Sequence, residues 1–297
     1  MNGIICIDKA QDITSFGVCS RLRRLFGEKK VGHAGTLDPM ATGVLPVLIG
    51  GATRFLDYLP DEDKGYTAVF ELGKTTDTLD ITGNVLSQSE VTVTAEDVIA
   101  AGESFKGKIS QLPPMYSAVS VGGERLYNLA RKGVEVERKP REIEIKSLEI
   151  KPLEENLYQL SVLCSKGTYV RTLIDDIGKK LGCGAVMTAL RRDFACGFSL
   201  SDCRNLSDLQ AMAEQGEELE NLLLPVDKAL SAYAAVNVSD AQASRFKNGG
   251  ALDLQRLKNK ALQSGSLYRV YSPEGEFLGL GKACENELKV EKLYIKR

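Results

Sequence analysis

Apolar residues fall along the chain in three spacings, each with its own structural meaning. GIICI at 3–7 is a short unbroken run, the mark of a strand buried on both faces. Val18, Leu22, Leu25 and Phe26 then recur at helical spacing between Ser15, an N-cap candidate, and Gly27, a natural stop. That predicts an amphipathic helix whose other face carries Arg21, Arg23 and Arg24. YTAVFEL at 66–72 and LYQLSVLC at 157–164 read as strands from their aromatic and branched residues. EIEIKSLEI at 142–150 opens with isoleucine in and acid out, the alternation of a half-buried antiparallel strand. Thr94 opens TAEDVIAAGESF with Asp97 three positions on, a capping box. Val170, Leu173, Ile174, Ile177 and Leu181 form one stripe of a helix ended by Gly182, and 207–224 reads as an acidic helix stopped by Pro225.

Strands and helices therefore mix without a βαβ rhythm. The expectation is an α+β fold with a mixed, largely antiparallel sheet flanked by helices over residues 1–228. Beyond it, SLYRVYS, a turn at Pro273-Glu274-Gly275, FLGLGKA and LKVEKLYIK predict a small β-rich domain over 229–297.

Composition narrows the partners. With 40 acidic against 38 basic residues the net charge is −2, which by itself argues against a nucleic-acid binder. The distribution leaves room for a local basic face: RLRRLFGEKK at 21–30 holds five bases and one acid, though by pattern alone its arginines read as a solvated face, and Arg245, Lys247, Arg256, Lys258, Lys260 and Arg269 are close in sequence in the tail. Seven cysteines without a CxxC pair, beside a single histidine, predict reduced thiols and no metal site. No apolar run approaches the ~18 residues of a membrane span, and MNGIICIDKA lacks the basic and apolar regions of a signal peptide. A cytoplasmic location, away from any membrane, is expected.

The candidate chemistry lies in GHAGTLDPMATGVL at 32–45, which holds the one histidine, His33, and Asp38. Proline after Asp38 biases that residue to extended backbone, and the small residues around it allow a ligand or another chain segment to approach closely. Taken alone, the local pattern favours a turn aspartate that bonds nearby backbone N–H groups, since turn acids outnumber catalytic ones. No GxSxG elbow, Walker A ending or GxGxxG turn is present, so hydrolase, nucleotide and dinucleotide chemistries have no support. Lys64-Gly65-Tyr66 opens a strand, while KGTYVR at 166–171 sets Tyr169 and Arg171 at a helix start. An arginine beside a lone aspartate keeps it ionised, and a tyrosine can stack on a planar ring.

These segments together resemble the bacterial tRNA pseudouridine synthase B (TruB) family. GHAGTLDPMATGVLPV carries the likeness, and it continues through Lys64-Gly65-Tyr66, GKTTDTLDITG at 73–83, LPPMYSAV at 112–119, CSKGTYVRTLIDDIG at 164–178 and LRR at 190–192. One departure is Lys9-Ala10, where the family pattern has Lys-Pro. The resemblance implies cofactor-free isomerisation of a uridine in the T arm of transfer RNA, at position 55; a monomer is expected, because an RNA clasp needs no second subunit. It implies Asp38 as the catalytic aspartate, with attack at C1′ and abstraction of a ribose proton both open. Tyr66 would stack on the uracil and accept the C5 proton, Arg171 would pair with Asp38, and Tyr169 and Leu190 would complete the pocket wall. His33 would fill the space left by the flipped base. Lys64, the helix at 21–30, and Arg125, Arg131 and Lys132 in a flap at 120–141 would meet phosphates, and a PUA-like tail would hold the acceptor-stem end. A non-catalytic tRNA-binding module on the same scaffold is the alternative.

Overall fold

The alternating strands of the sequence become the centre of one structural unit. The computed structural model describes residues 1–60, 63–257 and 262–295. Its chain divides into a unit of Met40–Val44 with Asp61–Ala195, and a unit of Met1–Pro39, Leu45–Pro60 and Cys196–Arg297.

In the first of these, the strands run in the order Gly107–Gln111, Arg141–Glu154, Leu157–Ser165, Asp63–Leu72, Ala185–Ala195, and then the start of Thr42–Ile49. Every pairing is antiparallel except the last, where Thr42 and Gly43 lie parallel to Arg191 and Arg192. Leu157–Ser165 alternates strictly between buried and half-buried residues, as a strand covered on one face should. The cover is the helices Ala95–Glu103 and Val170–Leu181, which pack on the sheet and on each other. The first begins with the expected Thr94–Asp97 capping box and the second ends at left-handed Gly182.

Gly43 shows why the motif is rich in small residues. Its φ is +102°, and a Cβ there would lie 2.2 Å from the Arg192 carbonyl oxygen. The close approach is backbone on backbone. Gly43→Ala is expected to destabilise the protein by about 3 kcal/mol, read as a lower urea midpoint at unchanged slope.

In the second unit, strand Gly3–Lys9 lies between Cys203–Arg204, to which it is parallel, and Thr42–Ile49. The helix Ser15–Phe26 buries Val18, Cys19, Leu22 and Phe26 and ends at left-handed Gly27. Its N-cap is Thr14, whose hydroxyl accepts the Gly17 amide, so Ser15 does not cap it. The acidic helix expected over 207–224 is shorter: Leu206–Glu214 is helical, Gly216 turns left-handed, and Leu219–Leu222 is one tight turn. Pro225 caps a further short helix, Val226–Ala229. The tail forms a separate five-stranded sheet, Ala234–Asn237, Leu267–Tyr271, Phe277–Cys284, Glu287–Leu293 and Leu252–Asp253 in spatial order. Val236, Phe246, Val270, Leu278 and Leu288 are its core. The Pro273-Glu274-Gly275 hairpin is present, with Gly275 at φ +81°. Lys258 and Lys260 lie outside the described residues.

Candidate active site

Asp38 stands in a segment, 34–41, that is neither helix nor strand, and the fold fixes its backbone from three sides. Ser15 Oγ accepts the Leu37 amide at 2.9 Å and donates to the Leu37 carbonyl at 3.1 Å. Lys9, fully buried, donates its ammonium to the carbonyls of Ala10, Ile13 and Pro39 at 2.8–3.1 Å. The Asp12 amide donates to Pro39 as well, at 2.9 Å, and Asp12 adopts φ +62°. A buried ammonium facing carbonyls is held by charge-assisted bonds, so the backbone of the loop carrying Asp38 is pinned on both sides of that residue. Leu37 and Met40 are buried on either side while Asp38 itself is half-buried. By type and position Ser15 reads as a cap. Its actual partner lies 22 residues away, a contact no local spacing announces. Ser15→Ala removes both bonds and is expected to cost about 1–3 kcal/mol, seen in chemical denaturation, because the Leu37 amide is left buried without its partner.

His33 ends the strand Val31–His33, opposite Val47 and half-buried. The basic face at 21–30 divides. Arg23 donates to the Val31 carbonyl at 3.0 Å and lies over the Phe16 ring, 5.0 Å from its centroid, so it is structural. Arg21, Arg24, Lys29 and Lys30 stay exposed.

In the other unit, Tyr66 lies on the strand Asp63–Leu72, paired with Arg192 on one side and Val162 on the other. Paired residues in a sheet share a face, so Tyr66, Ala68, Leu190 and Arg192 line one surface. Tyr66 is only 9% exposed, and Leu190 is half-buried beside it. Lys64, on the same face, takes its place opposite Cys164. Tyr169 is the N-terminal flanking residue of Val170–Leu181, and its amide and carbonyl are both bonded to the Gln111 side chain, at 2.8 and 3.1 Å. That double contact fixes the entry of the helix and hence the position of Arg171.

Arg171 is buried and acts as a hub. Its guanidinium meets Asp80 Oδ2 at 3.3 Å and donates to the carbonyls of Thr78 at 3.0 Å and Tyr116 at 2.9 Å. Asp80 is buried too, and its other oxygen accepts from Thr78 Oγ1, the Thr82 amide and Thr82 Oγ1 at 2.5–3.0 Å. Between these anchors Leu79 is held at φ +63°, a left-handed conformation costly for leucine. The Met187 amide donates to its carbonyl at 3.3 Å. Asp80 stands inside GKTTDTLDITG, yet nothing in the local pattern separates it from Asp77, whose carboxylate accepts from the Asn84 amide and side chain in its own turn. The arginine thus ties three segments together: its own helix, the 76–82 loop, and the base of the segment 118–140.

That segment holds a two-residue hairpin and the short helix Leu126–Arg131. Arg138 braces it by donating to the Pro113 carbonyl at 3.1 Å, and Arg125 donates to Ala118. Arg131 lies over the Tyr127 ring and Lys132 pairs with Glu124, both exposed enough for water and salt to weaken those contacts. In the tail, Arg269 is taken up by the Tyr233 and Asp227 carbonyls and the Tyr271 hydroxyl, and Lys247 by Glu276.

Burial pushes the thiols of Cys19 and Cys164 up to about 11, so neither is ionised at neutral pH. What the chain offers is a carboxylate on a fixed loop, a buried tyrosine beside a half-buried leucine, and an arginine bonded to a buried carboxylate.

Residues 23–170 match the TruB family pseudouridylate synthase N-terminal domain. Residues 171–231 match the tRNA pseudouridylate synthase B C-terminal domain, and 234–293 the pseudouridine synthase II TruB C-terminal region. The tRNA pseudouridine synthase B of Clostridium tetani is 43% identical over 296 residues, covering 99% of this chain and 100% of that one. Its counterpart from Pseudomonas fluorescens (strain Pf0-1) is 42% identical, covering 96% and 93%. A chain in the crystal structure of a Cbf5–Nop10–Gar1 complex superposes with a TM-score of 0.75 at 27% identity, covering 99% of this chain and 85% of that chain. Full-length likeness at this identity, carried by the same segments that build the two halves just described, places the chain in the TruB family of pseudouridylate synthases.

Proposed function

We propose that this protein isomerises the uridine at position 55, in the T arm of transfer RNA, to pseudouridine, with residues 1–228 as the catalytic part and a PUA-like tail from 229 on the acceptor-stem end. The observation that carries the reading is Asp38 on a loop fixed by Ser15 and Lys9, in a chain of this family. A uridine stacked in a stem-loop is out of reach, so it must be flipped out, at a cost of a few kcal/mol. His33 fills the gap it leaves. The Asp38 carboxylate acts at the sugar, as nucleophile on C1′ or as base, and the C1′–N1 bond breaks. The freed uracil turns against Tyr66 and Leu190, C5 bonds to C1′, and the C5 proton leaves, with Tyr66 as its acceptor. No electron is gained or lost, so the sum requires no redox cofactor.

Arg171 orients the acid, and Tyr169 closes the wall. Lys64, Arg21, Arg24, Arg131 and Lys132 supply phosphate contacts, which position the RNA by shape and charge. Affinity therefore falls steeply with salt. The protein works as a monomer in the cytoplasm.

Mapping settles the site. An unmodified tRNA transcript, treated with the enzyme, then with carbodiimide and with alkali to strip the adduct from uridine and guanosine, is expected to stop reverse transcriptase once, one nucleotide 3′ of position 55. Stops elsewhere, with none there, would refute the assignment.

A further inference from the structure

Three of the seven cysteines, none with a role in the proposed reaction, gather about the strand Gly3–Lys9. Cys6 and Cys203 are direct partners in the parallel pairing of Gly3–Lys9 with Cys203–Arg204. Their side chains therefore leave the same face of the sheet, on strands about 4.8 Å apart. That spacing falls inside the roughly 4.4–6.8 Å between α-carbons that a disulfide spans. Cys203–Arg204 is a two-residue strand at the sheet's edge, so it has freedom to close the small remaining gap between the Cβ atoms. Cys6 is buried and Cys203 half-exposed. Burial raises the Cys6 thiol most, and the negative charges that Cys203, Asp202 and Cys196 would carry raise it further, which puts the three sulfurs within electrostatic reach of one another. Cys196, at φ +54°, completes the group.

We propose that Cys6 and Cys203 form a peroxide-oxidisable dithiol whose linkage slows turnover. Cys203, the less buried of the two, whose thiol donates to the Ser199 carbonyl at 3.4 Å, gives up that proton and bond and attacks a hydroperoxide as thiolate. The O–O bond breaks, Cys203 becomes a sulfenic acid, and the other oxygen leaves as water or alcohol. Cys6 then attacks that sulfur, the S–O bond breaks, and a second water departs. Two thiols lose two electrons and two protons, and the peroxide takes them up. Because the buried thiol is the poor thiolate of the pair, its attack is the slow step and speeds up as pH rises.

The link to turnover is the strand itself. Three residues beyond Cys6, Lys9 holds the Pro39 carbonyl next to Asp38. Drawing Cys6 toward the sheet edge shifts Lys9 and with it the loop. Displacement of a reacting group by a fraction of an ångström to one ångström is expected to lower turnover about tenfold or more.

The test treats the full-length protein with hydrogen peroxide, quenches free thiols by alkylation, and maps linked peptides by mass spectrometry without reductant. Turnover on tRNA is measured in parallel, an arm that rests on the proposed reaction, whereas the peptide map does not. The expected result is a Cys6–Cys203 linkage, formed faster at pH 8.5 than at pH 7, with turnover lost and then restored by dithiothreitol. Cys203→Ser, which keeps its basal activity, neither links nor loses turnover, while Cys196→Ser still links. No linkage, linkage through Cys196 instead, or a linked enzyme with unchanged turnover would overturn the proposal. A protein that links but shows no turnover even before peroxide would count against the proposed reaction and against the coupling, leaving the peptide map to decide the dithiol.

Discussion

Asp38→Asn is expected to lower single-turnover pseudouridine formation by at least ~10³-fold while tRNA affinity stays within about twofold. The substitution is nearly isosteric. It removes the charge that a nucleophile or a base needs and leaves an amide that can do neither. The loop's backbone is fixed through Leu37 and Pro39 by Ser15 and Lys9, so its path does not depend on a carboxylate at 38. Rapid-quench formation of product, filter binding of tRNA and a thermal melt separate the three possibilities. Turnover at the wild-type rate would remove Asp38 from the chemistry, and a lowered melting temperature would mean that the charge also holds the loop.

The second large effect is expected at a residue without an assigned role in the family likeness. Asp80→Asn keeps the shape that bonds Thr78 and Thr82 but leaves the Arg171 charge buried beside a neutral group. Breaking one partner of a buried ion pair costs about 3–5 kcal/mol. Part of that returns as the strained Leu79 loop relaxes, so the expected loss is about 3 kcal/mol in urea denaturation, with turnover reduced about 10–100-fold. Removing the cation as well, Asp80→Asn with Arg171→Met, keeps the Thr78 and Thr82 bonds and leaves no guanidinium short of its carboxylate. The double variant should therefore recover stability but not turnover, a split that an arginine with a purely structural role would not give. Recovery of both would show that Arg171 only holds the fold.

The fold was legible where one strand or helix carries its own pattern. Alternation in EIEIKSLEI and the stripe from Val170 to Leu181 describe a face and a core, and the structure buries those faces. Misreadings came where distant segments decide. Ser15 fits an N-cap by type, yet its hydroxyl is committed to Leu37, and Thr14 caps instead. The acidic stretch 207–224 has helical composition, but Gly216 and the packing of Leu219 break it into short turns. The candidate site divides in the same way. Asp38, Tyr66 and Arg171 stand out through motif likeness. Gln111, which orients Tyr169, and Asp80, which neutralises Arg171, act across 58 and 91 residues of chain, separations at which local periodicity carries no information. Lys9 is the intermediate case. A lysine at the end of an apolar strand reads as a solvated end, and only the carbonyls of Ala10, Ile13 and Pro39 reveal why it is buried.

The most direct measurement uses tRNA carrying tritium at uridine C5, incubated with the purified wild-type protein and nothing else. Moving the glycosidic bond from N1 to C5 must expel that label. The account predicts release of one equivalent per tRNA molecule, with the product mapped to position 55. Stable binding of tRNA with no tritium released would contradict it.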